Sequence, residues 1–221
     1  MIEHARDARI LRDSGSSSLR PCLPVAGPAA TNGLMRLFVA ITPPAAALEE
    51  LAATIAPLQA AWPRLRWTDL GGWHITLAFL GEVDEAAAAR LAPRLDHAAL
   101  RHPVLGLSLS SAGAFPGPAR ARVLWTGVGG DASGVVALAS SLATAAREAG
   151  APPPGERRRL RPHLTLARCG APADVRSLVE ALAAYSGPPW AAAEVQLIRS
   201  FLGPRPRYEV LAAWPLRAPR Q

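Results

Sequence analysis

From residue 35 onward, apolar positions recur with a period that switches between two and about 3.6, the signatures of strands and helices. Arg36-Leu37-Phe38-Val39-Ala40-Ile41 is a β-branched and aromatic run stopped by Thr42-Pro43-Pro44, which predicts a buried strand. Pro44 then sits in the first turn of a predicted helix over 45–60, where the missing N–H is harmless. Residues 64–67 and 74–79 read as strands, 85–100 as a second helix and 104–109 as another strand. After a Pro/Gly turn at 115–118, a strand over 122–128 leads into a helix over 132–149 closed by Gly150. Pro152-Pro153-Pro154-Gly155 marks a loop. Residues 163–167 predict a strand, 173–184 a helix, and 194–201 with 208–214 a closing antiparallel pair. Long helices and strands mix without strict βαβ alternation, so the order favours α+β over a doubly wound parallel sheet.

Residues 1–34 break the pattern. Ser14, Ser16, Ser17 and Ser18, three prolines and scattered charges leave too little apolar area to offset ordering entropy, which predicts a disordered leader ahead of one domain over 35–221. Met35 is a second candidate start codon. The leader has no continuous apolar stretch of the kind a secretory signal needs, and no run anywhere reaches the roughly 18 to 20 residues that cross a bilayer. Cys22 and Cys169 are the only cysteines and make no disulfide framework, so a reducing, cytoplasmic setting and no membrane partner are expected.

The net charge of +7 comes from 24 arginines without a single lysine. Guanidinium forks match phosphate oxygens, which favours an anionic partner, although GC-rich coding bias also replaces Lys by Arg. Position decides between the two readings. His74-Ile75-Thr76-Leu77-Ala78-Phe79-Leu80-Gly81 and His163-Leu164-Thr165-Leu166-Ala167-Arg168-Cys169-Gly170 share His, Thr, Leu, Ala and Gly at the same offsets, and an internal duplication accounts for them. Side chains alternate along a strand, so His74 and Thr76 share one face and His163 and Thr165 another. Two pseudo-symmetric lobes of mostly antiparallel sheet, with outer helices, would bring those faces together across a central cleft. Imidazoles titrate near neutrality, so one ring can accept a proton while the other donates, and threonine hydroxyls can hold phosphate oxygens. This chemistry requires no metal and no cofactor.

The paired His-x-Thr strands, with Met35 to Ile41, Gly113-Ala114-Phe115-Pro116, Arg122-Val123-Leu124-Trp125, Leu202-Gly203-Pro204 and Tyr208-Glu209-Val210-Leu211, resemble the two-histidine phosphoesterases. Specifically, they are similar to RNA 2',3'-cyclic phosphodiesterases, also called 2'-5' RNA ligases. The resemblance runs from Met35 to about Leu216. It implies that His74 is the proton donor and His163 the acceptor, with Thr76 and Thr165 on phosphate oxygens and Arg168 adding positive charge. It further implies an enzyme that opens 2',3'-cyclic phosphates at RNA 3' ends to 2'-phosphates, with ATP-independent 2'-5' ligation as a companion reaction; a monomer is expected, and tRNA fragments, another RNA or a mononucleotide stay open as the natural substrate.

Strict alternation aims Arg168 away from His163 unless the strand bends or bulges. Arg161, two residues before His163, points to the catalytic side and is a substrate-binding candidate, and Arg157 to Arg159 could attract RNA phosphates. Trp67, Trp73, Trp125 and Phe115 lie near enough to stack a terminal base, whereas Trp190 and Trp214 are expected in the core. His97 and His102 are assigned no role. A zinc hydrolase lacks a third ligand at suitable spacing, and without lysine no P-loop exists. The remaining rivals are a non-catalytic RNA-end binder and a phosphodiesterase of a small cyclic-phosphate metabolite.

Overall fold

The computed structural model describes residues 33–151, 160–203 and 206–218. Residues 1–32 of the expected leader, the 152–155 loop and the Arg157 to Arg159 cluster lie outside them. In chain order the elements are β1 (Met35–Ile41), α1 (Ala45–Ala61), β2 (Arg66–Trp67), β3 (Ile75–Val83), α2 (Glu85–Ala99), β4 (Leu105–Phe115) and β5 (Ala121–Gly130). They continue with α3 (Ala132–Glu148), β6 (His163–Ala173), α4 (Arg176–Ala181), β7 (Trp190–Ala192), β8 (Glu194–Phe201) and β9 (Arg207–Pro215). The class is α+β, as expected.

Most predicted elements are present, with differences mainly at their ends. Pro44 stands at the N-cap of α1 rather than inside its first turn. The strands after 104 and 163 run on to Phe115 and Ala173, so the helix expected from 173 shrinks to α4. Trp190 belongs to an unpredicted short strand, β7, against the sheet edge. Local signals account for the clear helix starts and stops: Asp84 accepts the Ala87 N–H at 2.6 Å at the head of α2, and Gly150 takes φ +83° just past α3.

The strands form one sheet in the order β7-β4-β5-β6-β3-β1-β8-β9, with β2 beside β6, and the pairs between these strands are antiparallel. β3 and β6 meet at its centre through one registered pair, Ile75 with Leu164. These two residues occupy the same position in the two motif copies. A residue facing its own counterpart across an antiparallel pair lies on a local two-fold axis, so the axis relating the halves passes through this contact. The halves also exchange strands: β4 follows the first copy but pairs with β5, and β8 follows the second but pairs with β1. Both seam residues are fully buried, and α3 with Leu138 and Leu142 packs against β3 and β4 in the same core.

Each copy carries the same irregularity. Val39 pairs with Ala78 and Ala40 with Thr76, leaving Leu77 over; Leu124 pairs with Ala167 and Trp125 with Thr165, leaving Leu166 over. The burial pattern changes parity there, with Leu77 and Ala78 both buried in one copy and Leu166 and Ala167 in the other. A bulge at this point turns the side chains that follow, up to the next irregularity, to the opposite face.

Truncating the seam should leave a cavity where the halves join. Ile75→Ala is expected to destabilise the protein by about 2–5 kcal/mol in urea unfolding, and a loss below about 1 kcal/mol would show that the seam is loosely packed.

Candidate active site

The central register puts His74 across from Thr165 and Thr76 across from His163, since opposed residues of an antiparallel pair share a face. Ile75 and Leu164 go into the core, so the two imidazoles and two hydroxyls stand together on the other face, each half-buried. The positive charge of His163, when present, acts on His74, and that of Arg168 acts on both rings. The four residues singled out by the repeat therefore converge.

Arg168 joins them because of the bulge at Leu166. Without it, alternation would send the guanidinium into the core beside Leu164 and Leu166; with it, Arg168 is exposed on the histidine face. The strand bulges, as that position required. Arg66, unforeseen in the sequence, is registered directly opposite Arg168 on β2, and both are exposed. Like charges directly opposed on a sheet are unfavourable by themselves. A phosphate between them would remove that cost, and a two-residue strand gave no sequence signal for the pairing.

Aromatic rings fix each imidazole. Phe38 lies 4.6 Å from the His74 ring and Tyr208 meets it edge-on at 5.2 Å. Around His163, Phe115 stands edge-on at 5.0 Å and Trp125 at 6.0 Å. Trp125 lies across Gly113, its registered strand partner, where any Cβ would collide with the indole. Its other neighbour is Arg161, whose guanidinium sits 5.0 Å above the ring centroid. The Gly113 to Pro116 segment thus seats the platform that carries Arg161 and buttresses His163.

This arrangement corrects the stacking candidates. Trp125 and Trp73 are buried at 6% and 3% exposure, so neither offers an open ring face to a base. Trp67 is half-buried and its indole N–H donates to the Trp62 carbonyl at 3.1 Å. Phe115 remains half-exposed beside His163. Tyr208 and Phe38 were visible only as parts of longer motifs, and nothing in their spacing announced that they would flank His74. Trp214 fills the core as expected, and His102 is tied to Ser141 at 2.8 Å.

The His163 Nδ1–H donates to the Arg161 carbonyl at 2.7 Å, because a carbonyl can only accept. That leaves Nε2 with a free lone pair. Burial lowers the His163 pKa, the Arg161 backbone hydrogen bond opposes this, and the charges of Arg168 and Arg161 lower it further. His74 is lowered to about 4, chiefly by burial, against a backbone hydrogen bond at Gly72 and with help from Arg168 and His163. With both pKa values lowered, both rings are neutral at neutral pH. An arriving anion opposes these effects and restores the proton that a donor needs. Cys169 is buried and its thiol pKa is raised by that burial, which makes it a poor nucleophile. Among the described residues no group of three or more His, Cys, Asp or Glu could hold a metal ion.

Residues 41–125 and 130–208 match the sequence model of the LigT like phosphoesterase family. A protein of Aeropyrum pernix named RNA 2',3'-cyclic phosphodiesterase is 37% identical over 127 residues, covering 58% of this chain and 70% of that one. One of Escherichia coli with the same name is 33% identical over 194 residues, covering 82% of this chain and 96% of its own. The crystal structure of E. coli LigT in apo form superposes with a TM-score of 0.63 at 29% identity, covering 84% of this chain and 99% of that one.

Two outcomes follow from the site's construction. His74 holds a folded pKa below its unfolded value of about 6.5, so the unfolded chain takes up the proton first. Its stabilising contribution is complete above pH 6.5 and is lost as pH falls towards 4; His74→Gln should therefore flatten the drop in melting temperature over that window, and an unchanged slope would contradict the assignment. Gly113→Ala should dislodge Trp125, costing about 1–3 kcal/mol in chemical denaturation and changing tryptophan fluorescence; a silent substitution would mean that the indole does not rest on this backbone.

Proposed function

We propose that this chain, which belongs to the LigT like phosphoesterase family, hydrolyses RNA 3'-terminal 2',3'-cyclic phosphates to 2'-phosphomonoesters by acid–base catalysis between its two histidines. The observation that carries this reading is the pair of equivalent imidazoles brought together at the sheet seam beside Arg168. The names of the E. coli and A. pernix relatives support the substrate class.

His163 Nε2, left free by the Nδ1 contact to Arg161, takes a proton from water as its oxygen attacks phosphorus. The P–O3' bond breaks on the opposite side and His74 gives its proton to the departing O3'. Phosphorus stays on O2'. The product state has His163 protonated and His74 neutral, and solvent exchange resets both. Thr76 and Thr165 donate to the non-bridging oxygens while Arg168 holds the charge that accumulates there. With an RNA 5'-hydroxyl in place of water the same bonds form and break, yielding a 2'-5' linkage without ATP, and the reverse direction cleaves it. Acid–base chemistry of this kind asks for no metal. The enzyme is read as a soluble cytoplasmic monomer acting on RNA ends, tRNA fragments included. No helix among the described residues is long and apolar enough to cross a membrane.

Protein incubated in EDTA with an RNA ending in a 2',3'-cyclic phosphate is expected to give 2'-phosphate by phosphorus NMR; predominant 3'-phosphate would reverse the donor and acceptor roles. His74→Ala and His163→Ala should each lower kcat by roughly 10²- to 10⁴-fold with the fold intact. Phosphate binding without turnover in the wild type would instead mark an RNA-end binder. Because both free-enzyme pKa values are lowered, kcat/KM should peak on the acid side of pH 6.5 and decline towards neutrality, while the kcat profile sits higher in pH. A kcat/KM independent of pH from 5 to 8 would exclude paired imidazoles.

A further inference from the structure

The pseudo-two-fold axis makes the two half-sites comparable position by position. His74 corresponds to His163 and Thr76 to Thr165, and both strands bulge at the following leucine. Five residues after each histidine the bulged strand presents its next side chain to the cleft. In the second copy this is Arg168; in the first it is Phe79. Where one half offers a guanidinium, the other offers a phenyl ring.

Phe79 is 54% exposed, whereas unbroken alternation without the bulge would have turned this large apolar side chain inward. Neighbouring Leu80 and Ala78 are buried, at 3% and 6%. The ring stands 6.1 Å from Phe38, which forms the buried floor beneath His74, and Tyr208, itself 36% exposed, meets the same Phe38 edge-on at 5.9 Å. Both halves hold aromatic rings beside their histidine, but the acceptor half adds two cations, Arg168 and Arg161, where the donor half presents the exposed ring of Phe79. An exposed aromatic at the mouth of a cleft is unfavourable in water and gains by stacking on a flat partner.

We propose that Phe79 is a substrate-specificity residue that stacks the nucleobase of the 3'-terminal nucleotide, so that the nucleoside lies over the His74 half and the phosphate under Arg168. The proposal rests on the phosphodiesterase reading and adds an orientation to it. A cleft with two-fold symmetry would accept the substrate either way round. Replacing one guanidinium by a phenyl ring leaves one orientation, the one that places the nucleoside's leaving oxygen next to His74.

The test compares the affinities of adenosine 2'-monophosphate and inorganic phosphate by calorimetry, since only the first carries a base. Stacking on an aromatic strengthens binding of a base, so the preference for the nucleotide should fall on the order of tenfold in Phe79→Ala. Phe79→Leu, which keeps apolar bulk without a π face, should fall similarly, and Phe79→Tyr should retain the preference. An unchanged preference in Phe79→Ala, or full retention in Phe79→Leu, would overturn the proposal. The readout is a binding ratio, so it stands apart from the absence of turnover on the cyclic phosphate, which would overturn the hydrolase reading instead.

Discussion

One contact organises the molecule: Ile75 facing Leu164 across the only registered pair between β3 and β6. Because these residues hold equivalent places in two copies of one motif, the pairing is also the symmetry axis. Alternation then dictates the remainder. The aliphatic residues on the axis enter the core, and the histidine and threonine on either side must emerge on the opposite face within reach of their counterparts. The strand exchange that sends β4 to β5 and β8 to β1 locks the halves around this axis. A site assembled this way needs no long loop to bring its two imidazoles together.

The matching bulges supply the asymmetry that chemistry requires. Each shifts the next side chain to the histidine face, yet one copy delivers Arg168 and the other Phe79. The charge of Arg168 lowers the proton affinity of both imidazoles, and Arg66 is registered opposite it on β2. Burial acts in the same direction. On the proposed reading, the negative charge of a phosphate diester beside the rings would oppose both effects. Trp125, Gly113 and Phe115 contribute at one remove, by holding Arg161 and the His163 ring in place.

Much of this was legible in the sequence. The repeat exposed His74, Thr76, His163 and Thr165 because period-two alternation is rigid, and the end of α3 followed from Gly150. Arg168 could be named only as conditional on a bulge, since an extra residue in a strand is invisible until a partner strand sets the register. Trp125 and Trp73 were read as stacking platforms because nearness in sequence says nothing about which ring face another residue covers. Arg66 comes from a strand whose partner lies far along the chain, and Tyr208, although its strand pairs locally with β8, comes near His74 only because β8 pairs with β1 and β1 with β3; no local pattern encodes such placements. The strand over 163–173 overran its prediction for a related reason: Cys169-Gly170 looks like a stop, yet β5 continues to pair beyond it.

The central claim is that His74 and His163 attend a single phosphorus atom. Nitrogen NMR of the two imidazoles during titration with adenosine 2'-monophosphate tests it directly. One equivalent of ligand should move the ring resonances of both histidines together, with protonation of His74 appearing at a pH where the free ring is neutral. A shift confined to one ring, or two separate equivalents needed to move both, would contradict the account.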